Sequence, residues 1–355
     1  MALSIDWSRR IDLWCEAVRE RVMTSLSELP VEFAPTMEHL AAAAARKLPF
    51  KPIRRGRKWG RKWQYGWFRC KVRLPRAKAG RPVVLAAKVG SPEVEMLVFV
   101  NGVVVSGLDR WHDHVDLTAL APAGKTLNIL IEAYAGHGHP VSRCAFLTPG
   151  RQSVPEPPAL QQAFEGIRLC EWNEPAYQLW MDAETLRGLM HGVRRDSLRQ
   201  VRIGKTLSEA SCAVDPEAPT EQFDREAGKA RKLLAPALAA INGTTAPEMY
   251  CFGHAHIDVA WLWPLAQTYR KNAHTFSTAL ALMEKYREYR FLQSQAQLYD
   301  YVKAQYPDVY ARIRKAVRRG QWIVEGGMWV EADTNISGGE GLIRQFLYGK
   351  EFFRR

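Results

Sequence analysis

No stretch of eighteen or more apolar residues occurs in the 355-residue chain, so the sequence offers no membrane span. The opening MALSIDWSRRIDLWCEAVRE lacks the basic start, apolar stretch and small-residue cleavage site of a secretory leader. The six cysteines (Cys15, Cys70, Cys144, Cys170, Cys212, Cys251) include no CxxC pair. Their scatter argues against a disulfide frame or a Cys-based zinc site and for reduced thiols in a cytoplasm. Acidic residues are missing between Lys51 and Pro82, where thirteen Lys/Arg fall. That one segment accounts for the net charge of +13, and the rest of the chain is balanced. Its text, KPIRRGRKWGRKWQYGWFR, interleaves basic and aromatic residues, which a stacking platform for single-stranded nucleic acid would also do. The expectation is the plainer one: a solvated entry into a β domain, with tryptophans that pack and no nucleic-acid partner.

What is present is ordinary for a globular protein: 47% hydrophobic and 25% charged residues, in a chain long enough for two or three domains. Residues 1–55 read as a helical segment. Ile11, Trp14, Ala17, Val18 and Val22 give Trp7–Leu26 near-helical spacing, and Met37–Leu48 reads as a second, short helix. Residues 56–155 read as a β-sandwich, with strands at Trp67–Leu74, Val83–Val89, Glu95–Val100, Val103–Val105, His114–Leu117 and Thr126–Ala133. Asn101-Gly102 is a two-residue hairpin signal, because both turn positions need positive φ. Residues 156–245 read as a helical connection, with Ala183–Gln200 and Glu221–Ile241 as helices and Asn242-Gly243 as a stop.

From residue 246 the pattern alternates. Glu248–Gly253, Tyr289–Ser294 and Gln321–Gly326 read as strands. Between them lie helices at Tyr269–Tyr286, Ala296–Gln305 and Val309–Arg319, the last two broken at Pro307. Ser337-x-x-Glu340 reads as a capping box opening a final helix through Leu342, Phe346 and Phe353. Strand–helix–strand alternation predicts a parallel sheet with right-handed crossovers, whose chemistry sits at the carboxyl ends of the strands.

Two such ends are rich in His and carboxylates. The first strand runs into His254-Ala-His256-Ile-Asp258, the third into Glu331-Ala-Asp333-Thr-Asn335. In an extended segment His254, His256 and Asp258 share a face. Imidazole and carboxylate oxygen suit a divalent ion of the zinc or cobalt kind. An HxH pattern alone is weak: His137-Gly-His139 repeats it and reads as a loop, and His112 and His114 read as strand-surface residues. These residues by themselves leave a metal role open without deciding it.

The text GHAHIDVAWLWPLAQTYRK, then FLQSQAQLYDYVKAQYP, then GQWIVEGGMWVEADTNISGGEGLIRQFLYGKEFF resembles the catalytic domain of glycoside hydrolase family 38, the α-mannosidases. The resemblance covers about a hundred residues in motif order. KWGRKWQYGWFRCKVRLP and FVNGVVVSGLDRWH resemble the β-sandwich (jelly-roll-like) that precedes that domain in the bacterial and cytosolic-type branch, which favours packing for the tryptophans. The resemblance implies a multidomain fold ending, over residues 246–355, in the N-terminal part of a parallel β/α barrel-like catalytic domain. It implies that His256, Asp258 and Asp333 hold one divalent ion, Zn2+ or Co2+. It further implies that Asp333 is the catalytic nucleophile, that Trp261 stacks on a sugar face, and that His254 shapes or braces the loop behind the ligands.

A retaining glycosidase needs one carboxylate to attack the anomeric carbon and a second carboxyl, about 5 Å away, to protonate the leaving oxygen. No such acid/base is assigned in this chain; with a further His ligand, it is expected beyond Arg355. The expectation is therefore a truncated piece or one subunit of a split enzyme, inactive alone, cleaving terminal α-mannosides or oligosaccharides only when completed by a second chain or further residues. Homo-oligomers are expected by analogy. Glu331 reads as a salt-bridged carboxylate, and Asn335 and Arg344 as loop supports. Two alternatives remain: a non-catalytic carbohydrate-binding fragment, and a metal-dependent amidohydrolase, in which WVEADTN would have no place.

Overall fold

A computed structural model describes residues 5–136 and 158–355, apart from positions 79, 196, 242, 244 and 262. His137-Gly-His139 and Asn242 therefore lie outside the described residues. In chain order the elements are α1 (Ile5–Glu20), β1 (Met23–Glu28), β2 (Val31–Thr36), α2 (Ala42–Ala45), β3 (Lys51–Ile53), β4 (Lys58–Trp59), β5 (Tyr65–Arg73) and β6 (Val83–Lys88). There follow β7 (Met96–Val100), β8 (Val103–Leu108), β9 (His114–Asp116), β10 (Thr126–Tyr134), β11 (Gln162–Ala163) and β12 (Gly166–Trp172). Three helices come next: α3 (Glu174–Gly192), α4 (Leu198–Ala213) and α5 (Thr220–Leu238). The last part alternates as β13 (Gly253–His254), α6 (Leu265–Lys285), β14 (Phe291–Leu292), α7 (Ala296–Gln305), α8 (Pro307–Arg318), β15 (Trp322–Ile323) and α9 (Gly339–Arg354).

A four-stranded sheet, β1-β12-β6-β9, faces a six-stranded sheet, β3-β2-β5-β10-β7-β8. Their antiparallel registers set Ile131 opposite both Phe68 and Val98. One alternate set of side chains, including Phe68, Val72, Val98, Ile129 and Ile131, fills the space between the sheets with Leu85, Ile167 and Leu169. The opposite faces are covered too. Val84, Ala86 and Trp172 pack under α1 and α3–α5, while Trp67, Leu97, Phe99 and Leu130 pack under α6. Burial on both faces is why β7, Met-Leu-Val-Phe-Val, is a continuous apolar run rather than an alternating one. Asn101 and Gly102 both adopt positive φ, 51° and 93°, as the hairpin requires.

Several expected boundaries move. Residues 1–55 are not a helical segment: the helix stops at Glu20, and β1, β2 and β3 belong to the sandwich. Only Ala42–Ala45 of the expected second helix is helical. The sandwich strands span Met23–Trp172 rather than 56–155, because β12 pairs with both β1 and β6. The connection holds α3 and α4 where one helix over Ala183–Gln200 was expected. Each has its own cap, Asn173 accepting from the Ala176 amide and Ser197 from that of Gln200. α9 starts at Gly339 without a side-chain cap, and Glu340 pairs instead with Arg344 at 2.8 Å. Pro307 separates α7 from α8 by opening the second helix, where its missing N–H costs nothing.

The parallel sheet, β13-β14-β15, is short, and no closed barrel forms among the described residues. The expected buried strand over Glu248–Gly253 pairs only at Gly253–His254, leaving Met249 and Tyr250 83% and 80% exposed. Ile343, Phe346 and Leu347 of α9 are likewise exposed. The sheet's helices dock on the sandwich instead. Gly107 permits this approach, since a Cβ there would collide with the His274 ring of α6.

The α6 interface contains a buried charge pair. Glu132 sits on the outer face of β10 and Arg270 on α6, both essentially inaccessible, with Arg270 Nε 3.7 Å from Glu132 Oε2. Arg270 Nη2 donates to the carbonyls of Glu95 and Glu132, tying the helix to two strands. Burial pushes Glu132 up to about 7, the Arg270 charge pulling the other way. His39, 3.8 Å from Glu132, is driven down to about 4 by burial and then by the Arg270 charge.

Two outcomes are expected. At about pH 8, where Glu132 is ionised, Arg270→Met takes the cation from a buried acid and lowers stability in urea unfolding by up to about 3–5 kcal/mol, the loss shrinking as pH falls and Glu132 binds its proton. Adding Glu132→Leu then restores part of the loss; no recovery in the double variant would contradict the pairing. The pH dependence also has a defined sign. Glu132 binds a proton in the native state that the unfolded carboxyl loses near 4.5, so its contribution falls as pH rises from about 4.5 to 7. His39 is neutral in the native state while the unfolded imidazole is protonated below 6.5, so its contribution rises from about pH 4 to 6.5. Removing the second slope with His39→Gln should make the urea midpoint fall more steeply between about pH 5 and 6.5 than in the parent. Parallel curves would show that the two groups do not titrate as assigned.

Candidate active site

The three parallel strands end at one edge, and each contributes polar residues there. β13 delivers His254, His256 and Asp258; β14 delivers Gln293, Ser294 and Gln295; the segment after β15 delivers Glu331. Glu331 is the hub. One oxygen, Oε1, lies 3.3 Å from His254 Nε2 and accepts from Ser294 Oγ, and Oε2 meets His256 Nδ1. His256 Nε2 in turn faces Asp258 Oδ1 at 2.8 Å.

Both ring nitrogens of His256 thus face carboxylates. The Glu331 hydrogen bond, and then that of Asp258, hold the imidazole above its ordinary value against the opposing effect of burial. Burial alone would raise Glu331, but hydrogen bonds from His256 and Ser294 outweigh it and hold the carboxyl below its usual range.

Two buried amides hold the strand ends in register. Gln293 Nε2 donates to the Ala255 carbonyl at 2.9 Å, and its Oε1 accepts from the amides of Ser294 and Gln295. Gln295 Nε2 donates to the Ile257 carbonyl at 3.2 Å, and its Oε1 accepts from the Glu331 amide. One side chain therefore bridges the backbone of the His256 loop and the Glu331 loop. On the far side, Trp329 N donates to the Gln345 carbonyl and Val330 N to the Gln345 side chain. Gly349 of α9 lies against the Gly327–Met328 backbone with no room for a Cβ.

Hydrogen bonds link His254, His256 and Asp258 through Glu331 and His256, and Asp333 hydrogen-bonds within its own turn. Asp333 is exposed, with Oδ1 accepting from Asn335 N at 2.8 Å and its carbonyl from Ser337 N. Asn335 thus supports that turn through its backbone, while Arg344 pairs with Glu340 away from it. Trp261 is exposed beside Trp263, their rings edge-on at 6.0 Å. Trp263 is pinned through Nε1 to Thr268 Oγ1 at the start of α6. The N and O donors of His256 and Asp258 are of the kind a zinc-type ion takes, and their separation suits two neighbouring ligands on one ion. Among the described residues no set of three such side chains converges as a metal site.

Sequence reasoning passed over Gln293, Ser294 and Gln295. The signal was available: Gln-Ser-Gln follows Phe291-Leu292, an abrupt change from apolar to polar at the end of a buried strand. Elsewhere, His114 stacks on Trp172 at 4.2 Å, and His112 bonds to Asp109. Trp59 and Trp67 of the basic segment are buried, at 2% and 0% exposure, so neither ring is open for stacking on a base. The described Cys15, Cys70, Cys170, Cys212 and Cys251 are free. No described helix is long and apolar enough to cross a membrane.

Residues 246–355 match the glycosyl hydrolases family 38 N-terminal domain, and residues 25–169 match the alpha-mannosidase jelly roll domain. The chain is 32% identical over 324 residues to Alpha-mannosidase 2C1 of Homo sapiens, covering 90% of this chain and 30% of that protein. It is 28% identical over 342 residues to Alpha-mannosidase G of Dictyostelium discoideum, covering 94% and 30%. Over 107 residues it is 42% identical to the Alpha-mannosidase of Saccharomyces cerevisiae, 30% of this chain and 10% of that one. The chain spans about three-tenths of the length of the first two relatives.

Gln295→Leu should leave the Ile257 carbonyl and the Glu331 amide unpaired at a cost of about 1–3 kcal/mol. Hydrogen exchange at the Glu331 amide should accelerate with it. An unchanged exchange rate would mean that Gln295 does not tie the two loops.

Proposed function

Because the chain carries a family 38 glycosyl hydrolase N-terminal domain behind an alpha-mannosidase jelly roll domain, we propose that it supplies the nucleophile and part of the metal-binding side of a retaining α-mannosidase site. The observation that carries this reading is the His256–Asp258 pair at the strand ends, within the segment that matches the family.

His256 Nε2 and Asp258 Oδ1 would hold the ion, with Asp333 as the third ligand. Zinc or cobalt suits these donors, and the chemistry so supplied is chelation of the cis hydroxyls of mannose, which fixes the ring for distortion. Glu331 orients His256 through the nitrogen that does not face Asp258, the usual role of a carboxylate behind a ligating imidazole. His254 shares that carboxylate and so braces the loop. Trp261, exposed beside a pinned Trp263, offers an indole face to the sugar. Asp333 attacks the anomeric carbon as the glycosidic bond breaks, and the leaving oxygen takes its proton from an acid that no residue of this chain is assigned to be. Water then hydrolyses the glycosyl–Asp333 ester, with that acid acting as base. The substrate is a terminal α-mannoside or an oligosaccharide carrying one. Free thiols suit a cytoplasmic setting.

Metal analysis of the purified chain after incubation with zinc should find about one ion per chain, and Asp258→Ala should weaken zinc affinity by at least about tenfold, the smallest loss that removing even an outer-shell partner produces. In the protein that carries this chain, Asp333→Asn should lower turnover of an aryl α-mannoside by on the order of 10^4-fold or more. Unchanged zinc affinity in the first variant, or retained turnover in the second, would overturn the corresponding assignment.

A further inference from the structure

We propose that the chain carries a second carbohydrate-binding cleft, remote from the strand ends, in which Trp111 is the stacking platform for a neutral oligosaccharide. A cavity of about 890 Å³ opens between the β8–β9 loop, the helices α1 and α3, and the C-terminal end of α6. Its volume lies at the upper end of the range for pockets that take small organic ligands.

Trp111 stands at this cavity and is 77% exposed. The backbone that carries it is nevertheless held. The Trp111 and His112 amides both donate to Asp109 Oδ1, at 2.7 and 2.9 Å, and the Asp109 amide donates to the His112 carbonyl. Asp109 Oδ2 lies 3.7 Å from His274 Nε2 of α6, so the loop is braced against the helix. An exposed indole on a loop already ordered by folding does not have to be immobilised when a ligand arrives. Arg110 lies over the ring at 4.7 Å and further limits its motion. An indole presents a flat apolar surface of the kind that the C–H face of a pyranose needs.

The rest of the wall narrows the ligand class. Seven carboxylates line the cavity against four Lys/Arg side chains. Arg187 is already paired with Asp12 and Glu184, and Lys285 with Glu174. A phosphate or another anion would meet net repulsion. A lipid chain would strip water from carboxylates without offering them a donor. A cation would find the aromatic cage filled, because Lys285 Nζ sits 4.9 and 5.0 Å from the Trp172 and Tyr177 ring centres. A neutral polyol avoids all three conflicts, donating hydroxyls to acidic walls while its apolar face lies on Trp111.

The cleft is separate from the strand-end site. The Asp258 loop enters α6 at Leu265, whereas the cavity takes Thr278–Tyr286 near its other end. At about 1.5 Å per residue, Leu265 and Leu282 are about 25 Å apart along the axis, so one sugar ring cannot touch both sites. The choice of a sugar rests partly on the glycosidase reading; the cleft and the anchored loop that carries Trp111 do not.

The test is titration of the full chain with a linear α-linked mannotriose, followed by calorimetry and by saturation-transfer NMR. Binding is expected, weakened about tenfold or more by Trp111→Ala and largely restored in Trp111→Phe. It should persist in Asp258→Ala and in the presence of a chelator. Affinity within about twofold of the parent in Trp111→Ala, or no binding up to about 10 mM sugar, overturns the proposal. A failed glycosidase reading shows differently: zinc affinity would be insensitive to Asp258→Ala while the dependence on Trp111 stands.

Discussion

The outer face of the six-stranded sheet buries Glu132 beneath α6, and Arg270 is the charge that answers it. A carboxylate and a guanidinium removed from water are costly unless each meets the other, so the helix has little freedom to slide or rotate on the sheet. The donation from Arg270 to the Glu95 and Glu132 carbonyls fixes the same helix to two neighbouring strands. Trp67, Leu97, Phe99 and Leu130 surround this contact and join Ala273, Phe276 and Leu280 in one core. The sandwich is therefore the floor on which the α/β unit is laid.

That placement reaches the strand ends through the start of α6. The helix begins at Leu265, a few residues after Asp258, and Thr268 in its first turn bonds both to Trp263 and to the Asp258 carbonyl. Fixing α6 thus fixes the loop that carries His256 and Asp258. The other end of the same helix forms part of the Trp111 cleft, and His274 between them touches the Asp109 loop. One helix, seated by one buried ion pair, bears on both candidate sites.

Much of this was legible in the sequence for identifiable reasons. The Asn101-Gly102 hairpin was, because positive φ at two consecutive positions is tolerated by very few residue pairs. The break at Pro307 was, because a missing N–H is a local property. Met23–Glu28 was not: Met-Thr-Ser-Leu-Ser-Glu continues the helical spacing of α1, and only pairing with β12, far along the chain, makes it a strand. The capping box at Ser337 failed because the helix takes Gly338 as its N-cap, which puts Glu340 at the second helical position rather than the third.

At the strand ends the same division holds. The types and spacing of His254, His256 and Asp258, following a strand and preceding Trp261, were set by local sequence, because alternation along an extended segment is a local rule. The resemblance to family 38 was likewise carried by contiguous text, and it is matched over residues 246–355. Which carboxylate those histidines meet was not local. Glu331 and Asp333 are two residues apart and chemically alike, and only the turn after β15, together with Gln295 and Ser294 from the middle strand, brings Glu331 to His256 while Asp333 bonds within its own turn. The burial of Glu132 against Arg270 and the space beside Trp111 belong to the same class. Sequence determined the chemistry each segment carries; tertiary structure decided which groups meet, because such contacts join residues dozens to well over a hundred positions apart whose separation no local pattern encodes.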